Sequence, residues 1–211
     1  MVEILESLKG DSITSLKLTG NQLGDSILKN VCQCFQSLDQ LQILEITFNE
    51  IGDEALAEIA SIFPENKNLR EIILNNNKFG NSGSGRNLST FLEAFLLELK
   101  EPLKLDLSCN NIGDVCLEPM IFYLLANHNN AQMTSLNIEY NSFSNFAKRT
   151  FAQACLYCPN PDLKVKFGPM SLTQGNLQVA ITKQLAEIPG RGGLPPHNSS
   201  IVGVYGGNSS K

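Results

Sequence analysis

The chain has 211 residues, of which 42% are hydrophobic and 18% are charged, so it is long and apolar enough to bury one sizeable core. Its 21 acidic residues outnumber its 16 basic ones and give a formal net charge of −5, which disfavours a nucleic-acid partner because phosphate binding needs clustered Lys and Arg. No apolar run reaches the roughly 18 residues of a membrane span, and the acidic N-terminal segment lacks the pattern of a secretory signal. We therefore expect neither a nucleic-acid nor a membrane partner.

A short helix is predicted over residues 2–8, and a repeated motif follows it. The pattern L-x-x-L-x-L-x-x-N-x-L occurs in five segments, at residues 13–23, 41–51, 69–79, 102–112 and 133–143. Successive motif asparagines are 28, 28, 33 and 31 residues apart, at Asn21, Asn49, Asn77, Asn110 and Asn141. A sixth, degraded copy lies at residues 165–167, where Met170 stands in place of the expected Asn. Five copies in register indicate a repeat architecture.

Each copy carries two apolar residues two positions apart, which would lie on one side of a short strand and point into a core. These pairs are Leu16 and Leu18, Leu44 and Ile46, Ile72 and Leu74, Leu105 and Leu107, and Leu136 and Ile138. The motif Asn is predicted to turn inward and bond the backbone of neighbouring turns, so that the amides stack in a ladder. Loss of one such buried amide would cost about 1–3 kcal/mol.

A Gly-Asp turn or its equivalent follows each motif and predicts the start of a helix. The second residue of the turn is expected to cap its own helix, because Asp and Asn side chains accept hydrogen bonds from free backbone N–H groups. These residues are Asp25, Asp53, Asn81, Asp114 and Asn145. Each unit is thus one strand and one helix. Because no unit can bury its apolar face alone, the units should stack into an α/β solenoid with parallel strands on a concave face and helices on a convex face.

The period of 28 to 33 residues, the N-x-[LIF]-G-[DN] turn and the full helix in each repeat resemble the ribonuclease-inhibitor type of leucine-rich repeat, over about residues 10–168. The resemblance implies a horseshoe, and the fifth copy departs from it with Ser144 in place of Gly. We expect one repeat domain over residues 1–188, with repeats at about 13–168 and capping helices at 2–8 and 172–188. A flexible tail rich in Gly, Ser and Pro is expected over residues 189–211.

The six cysteines are interpreted as reduced, buried hydrophobic residues. Cys155 and Cys158 have the spacing of a metal-binding pair, but zinc needs four ligands and no second pair accompanies them. A catalytic cysteine would need a nearby base, and the chain offers only His128 and His197. Residues 80–87 (GNSGSGRN) lack a complete phosphate-loop pattern and are interpreted as the surplus of the 33-residue repeat. We expect no metal, no other cofactor and no enzymatic activity.

The residues between the inward-pointing ones are predicted to point outward onto the concave face. Apolar and aromatic residues among them suit the anchors of an interface, and acidic residues surround these anchors, with lysines at both ends of the repeat array. Thr47 and Ser108 are assigned to the same outward positions. The predicted partner-binding residues are Lys17, Ile43, Glu45, Phe48, Glu71, Ile73, Asn75, Lys104, Asp106, Asn137, Glu139 and Tyr140.

The predicted function is protein binding. By resemblance to ribonuclease inhibitor, the protein would clasp a partner enzyme and occlude its active site, as a monomer or as a heterodimer with its target. The alternative is an adaptor without inhibition, either in a eukaryotic cell or as a bacterial effector that recruits a host protein. The 22 asparagines suit an AT-rich genome, and a short repeat protein with a polar tail resembles the translocated effectors of intracellular bacteria. We expect a cytoplasmic location, or secretion without a signal peptide into a host cytosol.

Overall fold

The computed structural model describes residues 12–81, 85–99, 102–126, 133–156, 158, 160, 162–168 and 171–172. The helix predicted over residues 2–8 and the tail at 189–211 lie outside the described residues, as do both histidines. Of the helix predicted over residues 172–188, only the first residue is described. That prediction is wrong at Leu172, because this residue lies in a strand that pairs with its neighbour in the sheet.

Seven short strands form one sheet in chain order. They are β1 (Ser15–Lys17), β2 (Ile43–Glu45), β3 (Glu71–Ile73), β4 (Leu103–Asp106), β5 (Met133–Asn137), β6 (Lys164–Lys166) and β7 (Ser171–Leu172). The first six strands are parallel and β7 is antiparallel to β6. Equivalent residues of successive repeats pair, from Leu16 with Leu44 to Leu136 with Val165. The predicted repeat register is therefore confirmed, and the degraded sixth copy forms β6.

A helix follows each of the first five strands. The helices are α1 (Gly24–Phe35), α2 (Asp53–Ala60), α3 (Arg86–Glu98), α4 (Leu117–Ala126) and α5 (Asn145–Leu156). Each helix packs against the next one in the chain. A 3-10 turn at Asp114–Cys116 precedes α4, and α3 begins later in its unit than the other helices, in the repeat of 33 residues. This alternation of parallel strands and helices fits the predicted α/β solenoid.

The core lies between the sheet and the helices. All the predicted inward pairs are buried apart from Leu16, which is partly buried and packs against the core. Aromatic residues complete the core, and Phe63 meets Phe91 and Phe95 edge to face at centroid distances of 5.6 and 6.0 Å. Burial of each such side chain contributes about 1.5–3 kcal/mol. Because the helices cover one face of the sheet, the other face is left to solvent.

The motif asparagines tie each repeat to the one before it. Asn77 donates from Nδ2 to the carbonyl oxygen of Ile46 in the preceding repeat (2.8 Å) and to that of Leu74 in its own (3.0 Å). Its Oδ1 accepts the backbone N–H of Asn49 at 3.0 Å. The predicted ladder is confirmed at Asn77 and at three other motif asparagines, which are Asn49, Asn110 and Asn141. Asn21, at the start of the ladder, is exposed.

The helix-capping role predicted for the turn residues is wrong. Asp25 accepts a hydrogen bond from the backbone N–H of Gly52 in the next repeat at 2.6 Å, and Asp53 accepts one from Gly80 at 2.6 Å. Asn81 also accepts a hydrogen bond from the next repeat, at 2.9 Å. The starts of α1, α2 and α3 show no side-chain cap. The turn of the neighbouring repeat lies beside each of these oxygens, so they form a second ladder between repeats.

Ser144 replaces the expected Gly at the fifth turn and joins this second ladder. Its hydroxyl donates to Asp114 Oδ2 at 2.5 Å and its N–H donates to Asp114 Oδ1 at 2.8 Å. The hydroxyl oxygen also accepts the N–H of Ala147, so Ser144 rather than Asn145 caps α5. The hydroxyl and the N–H of Ser144 together hold the pKa of Asp114 below its ordinary value of 3.8.

Loss of a buried ladder amide should destabilise the protein more than loss of an exposed one. Asn77→Ala leaves carbonyl and N–H groups unpaired in two repeats and should lower the free energy of unfolding by about 2–3 kcal/mol. The matched control is Asn21→Ala, whose exposed side chain donates to Thr19 within its own repeat. It should cost less than about 1 kcal/mol. Urea unfolding followed by circular dichroism measures both, and equal losses would contradict the ladder.

Asp114 should make stability depend on pH in acid. Because its pKa is lowered in the folded state, its stabilising contribution is present above the ordinary value of 3.8 and is lost as the pH falls through the folded value. The wild type should therefore be more stable than Asp114→Asn at neutral pH, and the difference should shrink below about pH 3.8. Urea midpoints across this range measure the effect, with Asp39→Asn at an exposed loop position as the control. A difference that stays constant with pH would refute the assignment.

Candidate functional site

The side chains on the sheet face opposite the helices form one polar surface with apolar inserts, called here the strand surface. None of the twelve predicted partner-binding residues is buried. Four of them are exposed, namely Lys17, Phe48, Lys104 and Tyr140, and the other eight are half-buried. The structure places eight of the twelve within β1 to β5 and the remaining four just after a strand, at Phe48, Asn75, Glu139 and Tyr140. The surface extends to Lys164 and Lys166 on β6.

A block of four residues occupies the middle of the strand surface. Ile43 on β2 pairs with Glu71 on β3, and Glu45 pairs with Ile73, so isoleucines and carboxylates alternate across the two strands. All four side chains are half-buried. The block therefore offers apolar surface to solvent between charged groups, which is the composition expected of an interface core.

Lysines from the flanking strands neutralise both carboxylates of this block. Lys17 on β1 lies 3.0 Å from Glu45, and Lys104 on β4 lies 3.3 Å from Glu71. Both lysines are more than half exposed, so each pair contributes little to stability, at most about 1 kcal/mol. The pairs do orient the carboxylates. The acidic centre expected from the sequence is thus partly balanced by lysines that the strand register brings beside it.

Asp106 is held by hydrogen bonds within the sheet. Asn137 on the next strand donates to its Oδ2 at 2.8 Å, and the hydroxyl of Ser108 donates to its Oδ1 at 2.6 Å. Lys104, Asp106 and Asn137 line a shallow depression of about 110 Å³, which Lys166 borders. The carboxylate of Asp106 therefore has a defined orientation before any partner arrives.

Two residues assigned to the outward positions are buried instead. Thr47 is 4% exposed and donates its hydroxyl to Thr19 Oγ1 at 3.1 Å, in the preceding repeat. Ser108 is 5% exposed and bonds Asp106. Their hydroxyls bond the side chains of Thr19, which is exposed, and Asp106, which is half-buried on the strand surface, so neighbouring side chains cover the two residues on the outward side. The openness to solvent that an outward position implies is therefore wrong for these two residues.

Phe48 and Tyr140 occupy a backbone position that sequence periodicity does not identify. The residue before each of the five motif asparagines has a positive φ, with 54° at Phe48 and 57° at Tyr140. The other three positions hold Gly20, Asn76 and Cys109. A left-handed backbone costs a non-glycine residue about 1–2 kcal/mol. Asn76 and Cys109 hold the same position in the two repeats between Phe48 and Tyr140, and their place directly before a motif Asn is the sequence signal that identifies them.

The buried cysteines have the properties of packing residues. Burial raises the pKa of the Cys32 thiol to about 12, and repulsion from Glu58 and Cys34 adds to the effect. Burial also raises the pKa of Cys155, where Cys158 adds repulsion. A thiol with a raised pKa is a poor nucleophile at neutral pH. The interpretation of the cysteines as buried residues is confirmed for five of the six, namely Cys32, Cys34, Cys116, Cys155 and Cys158. The sixth, Cys109, is half-buried.

Metal binding and membrane insertion find no support in the described part of the chain. Its residues include no group of three or more His, Cys, Asp and Glu side chains that could hold a metal ion. No helix within these residues is long and apolar enough to cross a bilayer. The lack of a cofactor and of enzymatic activity stays a prediction.

Three segments of the chain, residues 12–39, 41–60 and 103–120, match the family model described as Leucine Rich repeat. These three segments are similar to leucine-rich repeats. The matched segments hold β1 with α1, β2 with α2, and β4 with the beginning of α4. Both ladders also run through the third repeat, which the matched segments do not include.

No curated protein matches the chain. Among solved structures, one titled Leiomodin-1 Actin-Binding Site 2 aligns with 88% of this chain and 85% of its own, at 12% sequence identity and a TM-score of 0.45. At this level the likeness carries no argument about function.

Thiol accessibility should separate Cys109 from the other five cysteines. Cys109 is half-buried, at the edge of the strand surface, whereas the others lie in the core. In the native protein, iodoacetamide should modify Cys109 first, and in urea all six should react. Peptide mass spectrometry after a short exposure measures the order. Modification of Cys32 or Cys155 before Cys109 would contradict the described packing.

Proposed function

We propose that the strand surface binds a protein partner. Leucine-rich-repeat domains generally mediate protein–protein interaction, and this chain carries such repeats. The observation that supports the proposal best is the exposure and the backbone conformation of Phe48 and Tyr140. They are 57% and 74% exposed, and both hold a left-handed backbone conformation.

These two aromatic residues are unfavourable for folding on two counts. Exposure of a large aromatic side chain forgoes the burial energy of about 1.5–3 kcal/mol, and the positive φ costs about 1–2 kcal/mol. Glycine fits this position without strain, as at Gly20, and Asn tolerates it, as at Asn76. Strained residues persist where the surrounding structure holds them, and they cluster at ligand-binding sites. Aromatic side chains are also common among the residues that contribute most to interfaces.

The central block supplies the second part of the proposed site. Ile43 and Ile73 would contact an apolar side chain of the partner, and the pairs Lys17–Glu45 and Lys104–Glu71 would border that contact. Since each carboxylate is already paired, the partner need not neutralise a buried charge. We propose a partner patch that is apolar in its centre and carries charges of both signs around it.

The proposed function takes two more specific forms, an inhibitor and an adaptor, and both start from the type of repeat. We propose repeats of the ribonuclease-inhibitor type, because each repeat of 28 to 33 residues carries a full α-helix in the five described units. The inhibitor form of the proposal is that the strand surface occludes the active site of a partner enzyme. The adaptor form, including a bacterial effector acting in a host cytosol, uses the same surface without inhibition.

Replacement of both aromatic residues by the residue found at the equivalent position of the third repeat should separate binding from folding. Phe48→Asn with Tyr140→Asn should leave the melting temperature unchanged or raise it, because Asn tolerates a positive φ. Capture of the partner from lysates, quantified by mass spectrometry, should fall at least tenfold, since loss of two interface anchors costs more than about 1.4 kcal/mol.

The matched control is Leu97→Asn, which removes an exposed apolar side chain from α3, away from the strand surface. It should leave capture unchanged. Undiminished capture by the folded double variant would refute the proposal. Once a partner enzyme has been captured, an assay with and without the purified protein distinguishes inhibition from recruitment.

A further inference from the structure

A second surface lies on the helical side of the molecule, between α4 and α5. Leu117 and Ile121 of α4 face Phe146 and Ala147 of α5 across a groove of about 370 Å³. Apolar atoms dominate its walls. The groove is separate from the strand surface, because the helices cover the opposite face of the sheet.

Exposed apolar residues are concentrated around this groove in the described part of the helical side. Phe146, which lines it, is 79% exposed, and Phe122 and Val115, which adjoin lining residues in the chain, are 61% and 58% exposed. By comparison, α1 and α3 each present one large exposed apolar residue, Ile27 and Leu97 respectively. A concentration of exposed apolar residues is typical of surfaces that associate.

Charges of opposite sign border the two walls of the groove. Glu118 lines it on α4, and Asp114, which Ser144 holds by two hydrogen bonds, lines it just before α4. Arg149 is exposed on α5, three residues after Phe146 and therefore on the same side of that helix. In the described part of the chain, neither Glu118 nor Arg149 forms an ion pair. The α4 side thus carries two acids, Asp114 and Glu118, the α5 side carries a base, and apolar surface lies between them.

We propose that this groove is the interface of a homodimer. A two-fold axis through the groove places α4 of one copy against α5 of the other, since an interface of this symmetry uses the same patch twice. Glu118 of each copy then faces Arg149 of the other, and the two exposed phenylalanine side chains of each copy are covered. A second copy carries both complementary charges at the required places, which favours it over an unrelated partner.

This homodimer differs from the monomer or heterodimer expected from the sequence, and it does not depend on the proposed function. The strand surface of each copy stays open, so the dimer would present two binding surfaces. Two linked surfaces raise the apparent affinity for a clustered partner without any new contact. Variants of the groove and of the strand surface report on the two proposals separately.

Sedimentation equilibrium of the full chain tests the proposal. The wild type should show a dimer mass within a concentration series that reaches about 100 μM, a range that includes micromolar interfaces. Phe146→Asp should raise the dimer dissociation constant at least tenfold, because it buries a charge in an apolar contact. The matched control is Leu97→Asp, an exposed apolar residue of α3 outside the groove, which should leave the dimer intact.

Charge reversal tests the geometry of the interface. Glu118→Arg and Arg149→Glu should each weaken the dimer, since each places like charges opposite one another. The combination of both should restore the wild-type dissociation constant, because the opposed charges are again unlike. Circular dichroism and the melting temperature establish that every variant is folded.

Two results would overturn the proposal. A wild type that stays monomeric throughout the concentration series shows that the groove is not a homodimer interface. A dimer that survives Phe146→Asp and both single charge reversals shows that it forms elsewhere. If Phe146→Asp fails to fold, the charge reversals Glu118→Arg and Arg149→Glu still test the proposal.

Discussion

Asn49, Asn77 and Asn110 each satisfy backbone groups of two consecutive repeats at once, and the other features of the structure depend on this constraint. Each amide is buried, so its loss leaves unpaired carbonyl and N–H groups in both repeats. These hydrogen bonds fix the position of each strand relative to the preceding strand, and they fix the path of the backbone where it leaves the strand. Asp53 and its equivalents form a second ladder. Each accepts a hydrogen bond from the turn that follows the motif asparagine of the next repeat.

The strand surface follows from this register. Equivalent residues must pair across parallel strands, and this places Ile43 diagonally to Ile73 and brings a lysine beside each carboxylate of the central block. The same asparagines impose the left-handed position before them, where Phe48 and Tyr140 lie. The ladder and the candidate site are therefore aspects of one arrangement. A change in register would disperse the isoleucines and the ion pairs together.

The molecule has two surfaces suited to association, and they differ in kind. The strand surface is mostly polar, with apolar inserts and internally paired charges, which suits a reversible protein partner. The groove between α4 and α5 is mostly apolar, with two acids on the α4 side and a base on α5, which suits a second copy of the same chain. Because helices and sheet lie back to back, occupation of one surface leaves the other accessible.

The sequence by itself determined the repeats, the strand and helix in each unit, the inward leucines and the inward asparagines. Each of these follows from spacing along the chain, and spacing maps directly onto one side of a strand or helix. Only the tertiary structure decided what depends on neighbouring repeats. The acids of the turns bond the next repeat instead of their own helix, and Thr47 is covered through its bond to Thr19 of the preceding repeat. Partners 27 to 33 residues away are brought together by stacking, which no local pattern specifies.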